Sequence, residues 1–276
     1  MNVLTTLNLF ACAVLLNNTV IAQPVHAATA TAYLTAGASS PHYRNAFSFL
    51  SNPACLAAGH EFQAGLLIER KWLLKELNVY VLSAAFELAK GGLGVCLQQS
   101  GEADYHERSL KLGYGKSLGR IELGVSFNYL QTTAANYPVT GFGSAGLGLQ
   151  LHLSDKFITG LYIDMNVLGK AGKEIPETGA SQFQMAFGYE MRDDLFLAVQ
   201  IVKLKGSGLN VIGSLEYRYG DHFFFSIGLN SLEGLPYFKS GFRKNNLSIQ
   251  LYAVYETVLG FTPGLMVLWE HQPKTK

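Results

Sequence analysis

A chain of 276 residues with a formal net charge of +1 offers no electrostatic reason to bind nucleic acid or an acidic partner. Its hydrophobic share is 49% and its charged share only 15%, below the roughly 25% of ordinary soluble domains. With 29 glycines, 17 Phe and 14 Tyr, the composition excludes a disordered chain and does not fit an ordinary soluble domain.

Residues 1–27 read as a signal peptide. Leu7 to Leu16 is an apolar run interrupted by nothing stronger than Asn8, and small residues at Ala22 and Ala27 mark two candidate cleavage positions. Cys12 does not suit a lipoprotein anchor, because Phe10 stands where a small residue is expected and the apolar run continues past the cysteine. Beyond Ala27 no apolar stretch reaches the roughly 18 residues a membrane helix needs, so any insertion must use strands. Cys55 and Cys96 remain, which makes neither a metal site nor a dense disulfide framework.

Residues 28–60 are small and polar at first, then carry Asn45-Ala46-Phe47-Ser48-Phe49 and Asn52-Pro53-Ala54-Cys55-Leu56. That is too long for a simple tail and too rich in residues of buried type. It is expected to form a plug or hatch in a barrel mouth, with Asn52, Pro53, Ala54 and Leu56 at its centre.

Residues 61–270 show period two. Ile121, Leu123, Val125, Phe127 and Tyr129 alternate with Glu122, Gly124, Ser126 and Asn128, and similar runs follow at 145–153, 183–190, 223–230 and 247–256. Fourteen strands are predicted, near 62–69, 77–88, 91–99, 105–115, 120–131, 143–153, 157–167, 182–191, 194–204, 209–219, 222–230, 235–244, 246–257 and 263–270. Most runs span about 9–11 residues, the length of a tilted strand crossing a bilayer rather than the 5–6 of soluble sheets. Tight polar turns at Lys90, Gly119, Asp155, Asp193, Asp221 and Asn245 alternate with connections that are generally longer or bear Gly or Pro. Such alternation is expected of an outer-membrane barrel and not of a soluble sandwich. Tyr114, Phe127, Tyr129, Phe157, Tyr189, Tyr219, Phe223 and Trp269 fall toward strand ends, where interfacial girdles sit. The expected fold is therefore an all-β, transmembrane, antiparallel up-and-down barrel of about fourteen strands in the bacterial outer membrane, with residues 271–276 as a polar tail. Its expected partners are the lipid bilayer and the barrel-assembly machinery.

The other strand face should form a polar lumen network: Glu107, Lys111, Glu122, Asp164, Glu190, Glu216, Arg218, Lys239, Arg243 and Glu256. Mixed signs argue against a strongly ion-selective pore and suit groups that pair with one another or hold a plug. Catalytic constellations are weak. His152-Leu153-Ser154 has the spacing seen in lipid-modifying barrels, but it falls at a tight turn. Glu102, Asp104 and His106 have no second His or Cys nearby to complete a metal site. The glycines of Gly91-Gly92-Leu93-Gly94 precede no helix and no Lys-Ser/Thr, so they read as strand glycines easing curvature and packing. No cofactor is expected.

Gly37-Ala38, Asn45-Ala46 and Asn52-Pro53-Ala54-Cys55-Leu56-Ala57, with Gly169-Lys170 and the closing run Gly260-Phe261-Thr262-Pro263-Gly264, resemble PorV/PorQ-like outer-membrane barrels of Bacteroidetes. Those lie within the wider superfamily of fatty-acid-transporter-type barrels. Cys55 stands where that pattern has Gly. The resemblance implies fourteen strands, an N-terminal hatch and a non-enzymatic envelope accessory or scaffold role, with secretion-system components or secreted cargo as partners. A channel or transporter for small hydrophobic molecules is the second reading, and a lipid-modifying enzyme a remote third.

Overall fold

A computed structural model describes residues 35–57, 61–102, 104–170, 182–220, 222–231 and 234–271. The expected signal peptide, the first residues of the N-terminal segment and positions 272–276 of the expected tail lie outside the described residues.

Fourteen strands follow one another. They are β1 (Phe62–Arg70), β2 (Asn78–Leu88), β3 (Gly91–Glu102), β4 (Tyr105–Leu118), β5 (Ile121–Ala134), β6 (Thr140–His152) and β7 (Phe157–Lys170). The second half contains β8 (Gln182–Arg192), β9 (Leu195–Leu204), β10 (Leu209–Tyr219), β11 (Phe223–Asn230), β12 (Leu235–Lys244), β13 (Leu247–Glu256) and β14 (Gly260–His271). Each pairs antiparallel with its neighbours in sequence, and β1 closes the barrel on β14 with Phe62 opposite His271. Closure leaves no sheet edge, which is what a strand protein needs inside a bilayer.

Alternation sets the facing. Along β5, Ile121, Leu123, Val125, Phe127 and Tyr129 are exposed on the outer wall, while Glu122, Gly124 and Ser126 are buried within. The outer wall carries aromatic pairs at both ends. Phe62 meets Trp269 at 5.6 Å between centroids, and Phe223 meets Phe242 at 5.1 Å, on the rim of the short turns. Tyr255 and Phe261 pair at 4.9 Å toward the opposite rim. Such girdles anchor a barrel at the two membrane interfaces.

The strand positions agree with the sequence pattern to within a few residues, but the loops differ. β3 runs to Glu102 and β4 restarts at Tyr105, so the expected loop at Gln99–Asp104 is a tight hairpin. Similarly, β5 and β6 extend to Ala134 and Thr140 and shorten the next loop. Hydrophobic alternation stops where the membrane stops, whereas the hydrogen-bond ladder continues through polar residues such as Ser100 and Glu107. The asymmetry between rims is consequently milder than the pattern suggests. At the short-turn rim, Asn245 takes the left-handed φ of 51° that a two-residue hairpin requires.

Candidate functional site

The N-terminal segment lies inside the barrel. Its local fold comes from short-range side-chain bonds. Asn45 Oδ1 accepts from the Phe47 amide at 2.8 Å, and Ser48 Oγ accepts from the Asn45 amide at 2.9 Å. A single helical turn, α1 (Ser48–Ser51), follows. Asn52 then breaks to an extended φ of −156° and its Oδ1 caps a 3-10 turn at Pro53–Leu56, accepting from the Ala54 amide at 3.0 Å. Proline suits the first position of that turn because it has no N–H to satisfy.

Packing holds this structure against the wall. Ala46, Phe47, Phe49, Ala54, Cys55 and Leu56 are all buried. Burial of each large apolar side chain contributes about 1.5–3 kcal/mol. The wall makes room with glycine. A Cβ on Gly124 would overlap the Pro53–Ala54 peptide, one on Gly148 would overlap Asn52 Oδ1, and one on Gly160 would overlap the Gly37 carbonyl. A Cβ on Gly113 would stand 2.8 Å from Leu56 Cδ1. Gly92 and Gly94, read from the sequence as easing curvature, likewise face the Leu56 carbonyl and the Leu56 and Phe49 side chains. The closer physical role of these inward glycines is to let the segment approach the backbone of the wall.

Polar contacts then fix the register. Asn52, fully buried, donates from Nδ2 to the carbonyls of Gly37, Leu149 and Leu161 at 2.9, 3.2 and 3.4 Å. Arg44 donates to both oxygens of Glu122, at 3.1 and 2.5 Å, and to Gln150 Oε1 at 3.0 Å. His152 Nε2 approaches the same carboxylate at 3.2 Å. Further round the wall, His42 Nδ1 lies 3.0 Å from Glu190, Lys111 donates to the Leu50 carbonyl at 2.9 Å, and Arg218 donates to the His42 carbonyl. Arg218 also stacks its guanidinium on the Tyr43 ring at 3.9 Å. Partial burial pushes the Tyr43 hydroxyl up to about 12, with the Arg218 charge opposing the shift. Burial likewise pushes the Cys55 thiol up.

The expected lumen residues therefore divide into separate groups. Glu122 and Glu190 hold the segment. Asp164 accepts from Tyr162 at 3.0 Å, and Glu216 pairs with Lys239 at 2.8 Å and faces Arg218 at 4.0 Å. Glu256 accepts from the Trp72 indole at 2.7 Å, where the β1–β2 connection folds against the wall. The Arg243 side chain takes no partner among the described residues. Arg44, Gln150 and the glycine track were not singled out from the sequence. Gly113, Gly115, Gly124, Gly146, Gly148 and Gly160, at inward positions on neighbouring strands, were the available signal.

Beside the segment, on the β9–β13 side, lies a cavity of about 790 Å³. It extends from the short-turn rim at Asp193, His222 and Asn245 inward to Ser214 and Tyr237. Polarity changes along this wall. Successive inward positions of β10 read Arg218, Glu216, Ser214 and Ile212, and β12 reads from Arg243 through Lys239 and Tyr237 to Leu235. Past the cavity, Ile212, Leu235, Tyr237, Val254 and Met266 join Leu67, Val79 and Val81 in one buried apolar cluster. The lumen is charged near the short turns, passes through this apolar band, and turns polar again at the other rim, where Glu69, Asn78, Asn230 and Thr262 are buried and Glu256 meets Trp72.

Solved structures with this fold include a Pseudomonas aeruginosa FadL homologue, at TM-score 0.63 and 9% identity, covering 88% of this chain and 98% of that one. The Ralstonia pickettii toluene transporter TbuX matches at TM-score 0.60 and 10% identity, over 83% and 94% of the two chains. The CymD monoaromatic hydrocarbon channel matches at TM-score 0.59 and 13% identity, over 87% and 95%. The chain shares the barrel fold of these proteins. No family model and no curated protein matches the chain. This places the protein in the bacterial outer membrane, with the lipid bilayer as its surroundings. It also corrects the PorV/PorQ resemblance, together with the secretion role and the Bacteroidetes origin that resemblance implied. Asn-Pro-Ala is a short motif whose local duty here, capping a turn in the lumen, any barrel with an inward segment could use.

His152 is engaged with Glu122, and Ser154 Oγ accepts from the turn amides of Lys156 and Phe157 at 3.3 and 3.0 Å, so the two do not form a nucleophile and base. Among the described residues no cluster of three His, Cys, Asp or Glu side chains could hold a metal.

Proposed function

We propose that the protein is a passive outer-membrane channel for small hydrophobic molecules, with residues 35–57 as its plug. The observation that carries this reading is the change of lumen polarity. An inward band of Leu67, Val79, Val81, Ile212, Val254 and Met266 packs with Phe47, Phe49 and Leu56 of the segment, and with the segment displaced it would be an unfavourable path for hydrated solutes and a favourable one for apolar molecules. The solved structures of like fold that are a toluene transporter and a monoaromatic hydrocarbon channel agree with it. The segment supports the plug role because it fills the β1–β8 side of the lumen and leaves the cavity on the other. Delivery to the membrane would rest on the barrel-assembly machinery.

The test is uptake of labelled toluene and of labelled glucose by cells whose outer membrane carries the barrel. Toluene uptake should rise several-fold over an empty-vector control, and glucose uptake should not. Equal toluene uptake with and without the protein overturns the channel reading. Deleting residues 35–57 should raise glucose entry, and a folded deletion variant with unchanged entry overturns the plug.

A further inference from the structure

Among the described residues, two groups in the wall of the cavity have an open hydrogen-bonding position. Of its cations, Arg44 is held by Glu122, and Arg218 and Lys239 share Glu216. Arg243 has no side-chain partner among the described residues. Gln250, 5% exposed, has a buried Oε1 with no donor. Its amide is held by only a 3.5 Å contact to Ser248 Oγ, so its oxygen can turn toward a donor in the cavity. Buried acceptors are rarely left unpaired in folded proteins.

The two groups are neighbours. Arg243 pairs with Ser248 and Gly241 with Gln250 across β12 and β13, which makes Arg243 and Gln250 diagonal neighbours on the lumen face. Residues so placed are roughly 7–8 Å apart, and somewhat less at Cβ. The Phe224 ring covers Gly241, occupying the space a Cβ would take. Four cations, Arg44, Arg218, Lys239 and Arg243, and three carboxylates, Asp193, Asp194 and Glu216, line the described cavity. Asp193 and the Arg192–Asp194 pair stand at the outer rim.

We propose that this cavity binds a small α-hydroxy carboxylate. The carboxylate takes the planar Arg243 fork, which matches two oxygens at once. The adjacent hydroxyl donates to Gln250 Oε1, and the apolar body lies against Phe224 and Leu268. Lys239, neutralised by Glu216, contributes field rather than a direct bond. The site takes a polar anion at the rim opposite the apolar cluster, so it goes beyond the passage reading and stands whether or not hydrocarbons cross.

Calorimetric titration of the full protein in detergent tests it without any flux measurement. Mandelate should bind saturably. Phenylacetate, which lacks the hydroxyl, should bind roughly tenfold more weakly or worse, because Gln250 stays unpaired. Mandelamide, which lacks the charge, should not bind. Arg243→Gln should lose mandelate binding while its unheated protein keeps compact barrel mobility on gels. Gln250→Leu should bring the mandelate and phenylacetate affinities close together. If Arg243→Gln fails to fold, Arg243→Lys keeps the charge and removes the fork, and it should weaken binding. No mandelate binding to the wild type, equal affinity for mandelate and phenylacetate, or unchanged affinity in a folded Arg243 variant would each overturn the proposal.

Discussion

Asn52 Oδ1 occupies the space in which a side chain on Gly148 would begin. The two residues are far apart in sequence, and each is suited to the other: the asparagine caps its turn and bonds the wall only because the wall has no Cβ there. Gly148→Val should therefore displace the segment while leaving the strand ladder intact. The expected result is normal heat-modifiable mobility with raised glucose permeability, similar to the deletion of 35–57. A folded variant with wild-type permeability would show that the segment shifts without opening a path.

Arg44 and Glu122 form the buried ion pair that ties the segment to β5. Removing one partner of such a pair costs roughly 3–5 kcal/mol, since the other is left charged and buried. His152, also on Glu122, moves Arg44→Met toward the lower end of that range. Cys55 reports the outcome because it lies in the segment, buried against the wall, and is free. In a Cys96→Ser background, Arg44→Met should raise the rate of Cys55 labelling by a thiol reagent at least tenfold. An unchanged rate would mean that Asn52 and the apolar contacts hold the segment without the pair.

Facing can be tested by charge. Leu147 stands 57% exposed on the outer wall, so Leu147→Arg should lose about 2–4 kcal/mol near the midplane. Ser214, which lines the cavity, should accept Arg at lower cost. Ser126 is a poorer lumen control, because its hydroxyl abuts the Gly146 position and the Tyr162 ring system packs beside it. Urea unfolding from lipid vesicles measures the difference, and equal losses at 147 and 214 would reverse the assigned faces.

Tyr43 gives a pH dependence with a definite sign. Its hydroxyl is raised from an ordinary 10 to about 12, mainly by burial. The neutral form is favoured in the docked segment, so this contribution is fully present below pH 10 and is lost as pH rises through about 12. Subtracting the ultraviolet titration of Tyr43→Phe from that of the wild type isolates the group. The difference should titrate near 12, and near 10 in a Gly148→Val background where the segment is displaced.

Strands and their outward faces were legible because lipid on one side and polar lumen on the other force period two on every strand, as in Ile121 to Tyr129. Loop lengths were less legible, since the β3–β4 ladder extends through Ser100, Gly101 and Glu102, where no apolar face marks it. Within the lumen, Glu122 and Glu190 could be placed on the inner wall by parity alone. Their partners could not, because Arg44 and His42 lie in an irregular segment with no period to read. The glycines were visible, but their purpose depends on which backbone they face, and that is a property of the assembled cylinder.

The segment precedes β1 in the chain, yet its bonds reach from Ser83, 37 residues from Ala46, to Arg218, 176 residues from His42. It also packs Phe47 beneath Gly65 and Leu268, on the two strands that form the seam. Once β1 and β14 join, the cylinder has no lateral opening, and the segment can then enter only end-on through a rim. A segment in place before closure would act as an internal former around which the sheet curls. Contacts so distant along the chain make that closure a slow step. Loss of the segment should consequently show itself during assembly, as a longer-lived open sheet, before it shows itself in what the finished barrel lets through.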